Sequence, residues 1–152
     1  MNNDALLANL SYVNLIDSKG VILKDISEML NAKNWSQNQI NELYKNYDIL
    51  AQKSTKSGYS GTIVRNKHTN EIIVSHKGTQ SAQDWLQDGI LVIKGLPQAQ
   101  ASDAKAFVDD AIKSGLIKGN FRNVGHSLGH AIATVVHLTT NNSTGATGFN
   151  IK

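Results

Sequence analysis

The residues best suited to chemistry are Gly125-His126-Ser127-Leu128-Gly129. They fit a Gly-x-Ser-x-Gly pattern, with a β-like run before it and an apolar helical run after it, and that order spells a sharp strand-to-helix turn. Such a turn forces the serine backbone into a strained geometry. The two glycines lack the side chains that would collide with the neighbouring strand and helix. Ser127 would then project its hydroxyl at the carboxyl end of a sheet. The Leu128 N–H would lie at a helix N-terminus, where the dipole favours a developing negative charge. The chemistry served is nucleophilic attack on an acyl carbon.

A second string lies about fifty residues upstream, Val74-Ser75-His76-Lys77-Gly78-Thr79. It ends a β-like run in a glycine break, so Thr79 is placed to donate its backbone N–H, and its hydroxyl as well, to the same oxyanion. A serine nucleophile also needs a base. His76, at the strand end, is the candidate that could approach Ser127 through space, although a structural role is the simpler reading of it. His130 and His137 fall on the helix after Ser127, and no Asp or Glu follows Ser127. His126 and His130 are four apart, but no carboxylate lies nearby in sequence, so no metal site is expected. Asp84 and Asp88 read as capping and solvation, Asp109-Asp110 as a solvated face, His68 as a turn residue, and Trp35 and Trp85 as packing anchors.

The elements that must position these residues can be read from periodicity. Leu6, Leu7, Leu10 and Val13 recur at helical spacing, as do Val21, Ile22, Ile26 and Leu30 after the break at Gly20. Ser36 is a plausible cap for a third helix with Ile40, Leu43, Tyr44, Tyr47 and Leu50 as its stripe. After the loop at Ser54–Gly58 the period changes. Residues 59–66 and 71–76 read as two strands joined by the polar turn Lys67-His68-Thr69-Asn70, an antiparallel hairpin. A helix over 101–116, a strand over 120–125, a buried helix over 128–139 and a last strand from 146 follow. Alternating strands and helices predict a parallel α/β sheet. The expected organisation is an N-terminal helical segment, 1–56, and an α/β core, 57–152, forming one continuous domain.

Composition narrows the alternatives. The 152 residues are 40% apolar and 18% charged, ordinary for one globular domain rather than a charge-rich disordered chain. No apolar run approaches the roughly 20 residues that span a bilayer, so no transmembrane segment is expected. Without cysteine, disulfides, thiolate metal sites and cysteine nucleophiles are excluded. A net charge of +3 without a basic face gives no support to nucleic-acid binding. The N-terminus lacks the basic stretch of a secretory signal, which leaves a cytoplasmic location and a signal-less export route both open.

From about Ser57 to Asn150 the chain resembles the class 3 lipases, a branch of the α/β-hydrolases, and especially their bacterial relatives. Tyr59-Ser60-Gly61-Thr62 and the hairpin are similar to the family's entry strands. His76-Lys77-Gly78-Thr79 stands where the family has an Arg-Gly-Thr-like oxyanion loop. Asp84-Trp85-Leu86-Gln87-Asp88 matches an Asp-Trp…Asp element. Gly95-Leu96-Pro97 with Gln98 or Gln100 is similar to a segment of the bacterial members, and Gly148-Phe149-Asn150 to the strand that follows the elbow. The resemblance implies a serine hydrolase acting on an ester or lipid substrate, with Ser127 as nucleophile, Thr79 and Leu128 as the oxyanion hole, and no cofactor. It covers the N-terminal half of a hydrolase domain. Lys77 replaces an arginine, His130 replaces a second glycine, and the Asp and His expected after the serine are absent. The chain is therefore expected to be a piece of a longer enzyme, a short protein completed by a second chain or a second copy, or a non-catalytic remnant that pairs through an open sheet edge. Little ester hydrolysis is expected of the chain alone.

Overall fold

The computed structural model describes residues 3–79 and 97–149. Asp84, Trp85, Leu86, Gln87, Asp88, Gly95, Leu96 and Asn150 lie outside the described residues. A five-stranded sheet in the order β1-β2-β3-β4-β5 organises the chain. Its strands are β1 (Tyr47–Ser54), β2 (Ser60–Asn66), β3 (Ile72–Lys77), β4 (Phe121–His126) and β5 (Ser143–Phe149). The first three pair antiparallel, and β3-β4 and β4-β5 pair parallel. Helix α4 (Gln98–Lys113) lies between β3 and β4 in the chain, and α5 (Leu128–Thr139) between β4 and β5. This is the expected α/β architecture.

Each central strand is apolar on both sides, as a sheet covered on two faces requires. One face packs Ile63, Ile72, Val74 and Phe121 under α4 and α5, through Ala104, Phe107, Val108, Leu128, Ile132 and Val136. The other face presents Val64, Ile73 and Val124 to the N-terminal residues Leu7, Leu10, Leu15, Leu30, Trp35 and Leu43. A polar seam joins that layer to the sheet. Buried Gln52 accepts from the Leu15 N–H at 2.8 Å and donates to the Val13 carbonyl at 2.9 Å. Ser11 donates to the Ser75 carbonyl at 2.9 Å.

The N-terminal part differs from expectation in three places, the first being the Leu6–Val13 stripe, which is a short helix and a 3-10 turn with Val13 extended. The stretch from Val21 to Leu30 is not one helix. Asp17 accepts from the N–H groups of Lys19 and Val21, and Gly20 adopts φ +81°, so a tight turn brings Ile16 opposite Ile22. Only α2 (Ser27–Ala32) is helical there. Helix α3 (Gln37–Asn46) starts at Ser36 as expected, with a reciprocal capping box to Gln39. It stops at Asn46, and Tyr47 and Leu50 belong to β1 rather than to its stripe. Pairing with β2 from Tyr47↔Asn66 to Ser54↔Ser60 overrides the helical period, because it satisfies a whole row of backbone groups. Two short helices, α1 (Asp4–Ala8) and the 3-10 turn Leu10–Tyr12, complete the layer.

Candidate functional site

Strand β4 ends at His126 and α5 begins at Leu128, leaving Ser127 alone in the turn with φ +50° and ψ −117°. A serine in this region costs about 1–3 kcal/mol, so its surroundings must hold it there. They do so on both sides. The Ser127 N–H donates to the Phe149 carbonyl at 2.8 Å, and its carbonyl accepts from the His130 N–H at 2.9 Å. Glycine is needed on each flank. A Cβ on Gly125 would collide with the Gly129 backbone, and one on Gly129 with the His76 carbonyl. Leu128 is the first helical residue, so its N–H has no partner within the helix.

The upstream loop passes directly over this turn. A Cβ on Gly78 would lie 2.7 Å from Leu128 Cδ2, so only glycine lets the loop approach the Leu128 side chain. Gly78, the neighbour of Thr79, thus packs on the Leu128 side chain. The Thr79 N–H is engaged, however. It donates to Gln100 Oε1 at 2.9 Å, and Gln100 Nε2 donates back to the Thr79 carbonyl.

His76 is fully buried. Its Nδ1 lies 2.7 Å from the Tyr59 hydroxyl and its Nε2 2.7 Å from Asn123 Oδ1. The Asn123 amide nitrogen donates to Ser143 Oγ and the Gly145 carbonyl, which leaves Oδ1 as the acceptor. The ring is then the neutral Nε2–H form, accepting from Tyr59. Burial holds its pKa down to about 4, against the opposing pull of the Asn123 bond. Burial also pushes the Tyr59 hydroxyl well above its usual range, with the Asp103 carboxylate adding to it. Both ring nitrogens of His76 are therefore committed to Tyr59 and Asn123, and neither is bonded to Ser127.

The other histidines separate. His137 bonds Ser143 Oγ at 2.7 Å. Ser143 opens β5 opposite Phe121, at the start of β4, the far end of the strand from Ser127. His130 is exposed, and its ring covers Gly148, where a Cβ would collide with it. Gly148 thus makes room for the side chain that stands where a second glycine was expected. His126 packs between Tyr12 and Phe149, with ring centroids 6.2 and 5.5 Å away. It lines a groove of about 810 Å³ with Leu6, Gln39, Glu42 and Lys45. His68 contacts Asn46 in an exposed turn, Asp109 pairs with Lys105, and Trp35 is buried in the core. Among the described residues no three His, Asp or Glu side chains group as metal ligands would.

Sequence reasoning missed Asn123 and Tyr59 as partners of His76 and Gln100 as the partner of Thr79. No local pattern marks the first two. Gln100 carried a signal only through the resemblance of its segment, which said nothing of its contact.

A mixed sheet with two crossover helices on one face and a strained serine turn at a strand end defines an α/β fold of the lipase-like kind. Among solved structures the chain is similar to the Lip2 lipase from Yarrowia lipolytica, with a TM-score of 0.56 and 14% identity. The match covers 95% of this chain and 57% of that lipase, so the chain spans little more than half the lipase's length. At this identity the likeness shows the fold alone. No curated protein matches. The chain belongs to the family described as "Domain of unknown function (DUF6792)", whose model matches residues 4–151.

Proposed function

We propose that the chain is the nucleophile-bearing part of a lipase-type serine ester hydrolase, with Ser127 as the nucleophile. The observation that carries this reading is the Ser127 backbone, at φ +50° between β4 and α5, with the Gly78–Thr79 loop packed against Leu128. In the reaction, Ser127 Oγ attacks the ester carbonyl and passes its proton to a base. The N–H groups of Leu128 and Thr79 hold the oxyanion. The alcohol leaves with a proton, and water then hydrolyses the acyl-enzyme. No cofactor is needed. With His76 tied to Tyr59 and Asn123, the base and its orienting acid come from outside residues 1–152, from a longer form of the chain, a second chain or a second copy. Losing them costs about 10⁴- to 10⁶-fold in turnover, so the isolated chain is a weak esterase.

The test is labelling with a fluorophosphonate probe, on wild type and Ser127→Ala, with intact mass measured on the same samples. A slow adduct on wild type, accumulating over prolonged exposure, and none on Ser127→Ala is the expected result. No adduct on wild type would sink the reading. It would favour a non-catalytic module that pairs through β5, whose seven uncharged residues Ser143–Phe149 include none that is fully buried.

A further inference from the structure

We infer that Gln100 is a positioning residue that controls whether the Thr79 N–H can serve an oxyanion. This rests on the reading of Ser127 given above and adds a residue to it. The side-chain amide of Gln100 meets the two backbone polar groups of Thr79 at once. Oε1 accepts from the Thr79 N–H at 2.9 Å, and Nε2 donates to the Thr79 carbonyl. A carbonyl oxygen therefore already stands where the oxygen of a substrate carbonyl would have to stand to use that N–H.

The contact is enclosed. Gln100 is 4% exposed, whereas Thr79 itself is exposed. Two glycines flank the amide. A Cβ on Gly78 would lie 2.8 Å from Gln100 Oε1, and one on Gly58 3.2 Å from Gln100 Nε2. The helix that carries Gln100 is anchored to the same region one turn later. Asp103 accepts from the hydroxyls of Thr55 and Ser57, both at 2.6 Å, and so ties the loop bearing Gly58 to α4. Gln100 thus sits on a fixed helix and grips Thr79 from both sides of its backbone, holding the loop in place while occupying its donor. Ground-state chemistry at Ser127 has one open donor, Leu128, until Gln100 releases the second. A single preorganised oxyanion donor is worth about 10²- to 10³-fold in rate.

The experiment measures the fluorophosphonate labelling rate of Ser127 in wild type, Gln100→Ala, Gln100→Leu and Gln100→Glu, together with amide hydrogen exchange at Thr79. Ala and Leu remove the internal acceptor, and Leu keeps most of the volume. Both should label about 10-fold faster or more, with faster exchange at Thr79. Glu keeps an acceptor, with more negative charge, and should label more slowly than wild type. Wild-type labelling that Ala and Leu leave unchanged or slow down would overturn the inference while leaving Ser127 as nucleophile. Unaltered Thr79 exchange in Gln100→Ala would overturn it too. Absence of labelling in every variant would instead sink the reading of Ser127, and the role of Gln100 with it.

Discussion

His76 spends its side chain on the interior of the protein. It is neutral, buried and bonded at both nitrogens, and its folded pKa of about 4 lies below the ordinary value of 6.5. Between those two values the unfolded chain binds a proton that the folded chain refuses. Stability from this residue is therefore complete above pH 6.5, falls as pH drops and levels off below about pH 4. At pH 5 the loss is about 2 kcal/mol relative to pH 7. Urea unfolding at the two pH values should show it, and His76→Gln should show much less. If that variant does not fold, the wild-type ring still decides the point, because its proton resonances should not titrate between pH 7 and pH 5.5. A ring that titrates near 6.5 would contradict the buried neutral form. The place of His76 at a strand end was legible from the alternation of the chain. Its partners were not, since Asn123 and Tyr59 are 47 and 17 residues away and look like ordinary strand-region residues.

At the level of elements, the turn between β4 and α5 and the neighbouring strand β5 carry glycines with different tolerances. A Cβ on Gly129 meets the backbone carbonyl of His76, which cannot move without shifting β3. Gly129→Ala should cost about 3 kcal/mol or more, read as a drop in the urea midpoint. A Cβ on Gly148 meets the ring of His130, a side chain rather than backbone. Gly148→Ala should therefore be substantially rescued by His130→Ala, and a double-mutant cycle should show strong coupling. Additive effects would mean the clash is not with that ring. Helix α5 and the hairpin β2-β3 were legible because short-range period and turn chemistry decide them. The end of α3 was not. Tyr47 and Leu50 fit a helical stripe as well as a strand, and pairing with β2 decided between the two. The break at Gly20 was legible, but the return of the chain that sets Ile16 opposite Ile22 was not, because apolar spacing beyond the break suggested a helix.

On the scale of the whole molecule, the N-terminal layer is fastened to the sheet through a few distant residues. Arg122 on β4 bonds Asp4 at 2.6 Å and Glu71 at 2.9 Å, and the Asp4 side chain is 7% exposed. Arg122→Ala would leave a buried carboxylate without its guanidinium. It should cost about 1–3 kcal/mol, measured by chemical denaturation, whereas a loss below about 0.5 kcal/mol would place the pair among ordinary surface bridges. The same fastening has a consequence for synthesis. Asp4 and Arg122 are 118 residues apart, and Ser11 reaches Ser75 across 64. As the chain leaves the ribosome, Leu7, Leu10 and Leu15 emerge long before Val124, against which their layer packs. Loop-closure entropy makes such late contacts slow to form. Until β4 emerges, the N-terminal layer can pack only on the part of its platform that Val64 and Ile73 supply, so its apolar face is closed last by Val124.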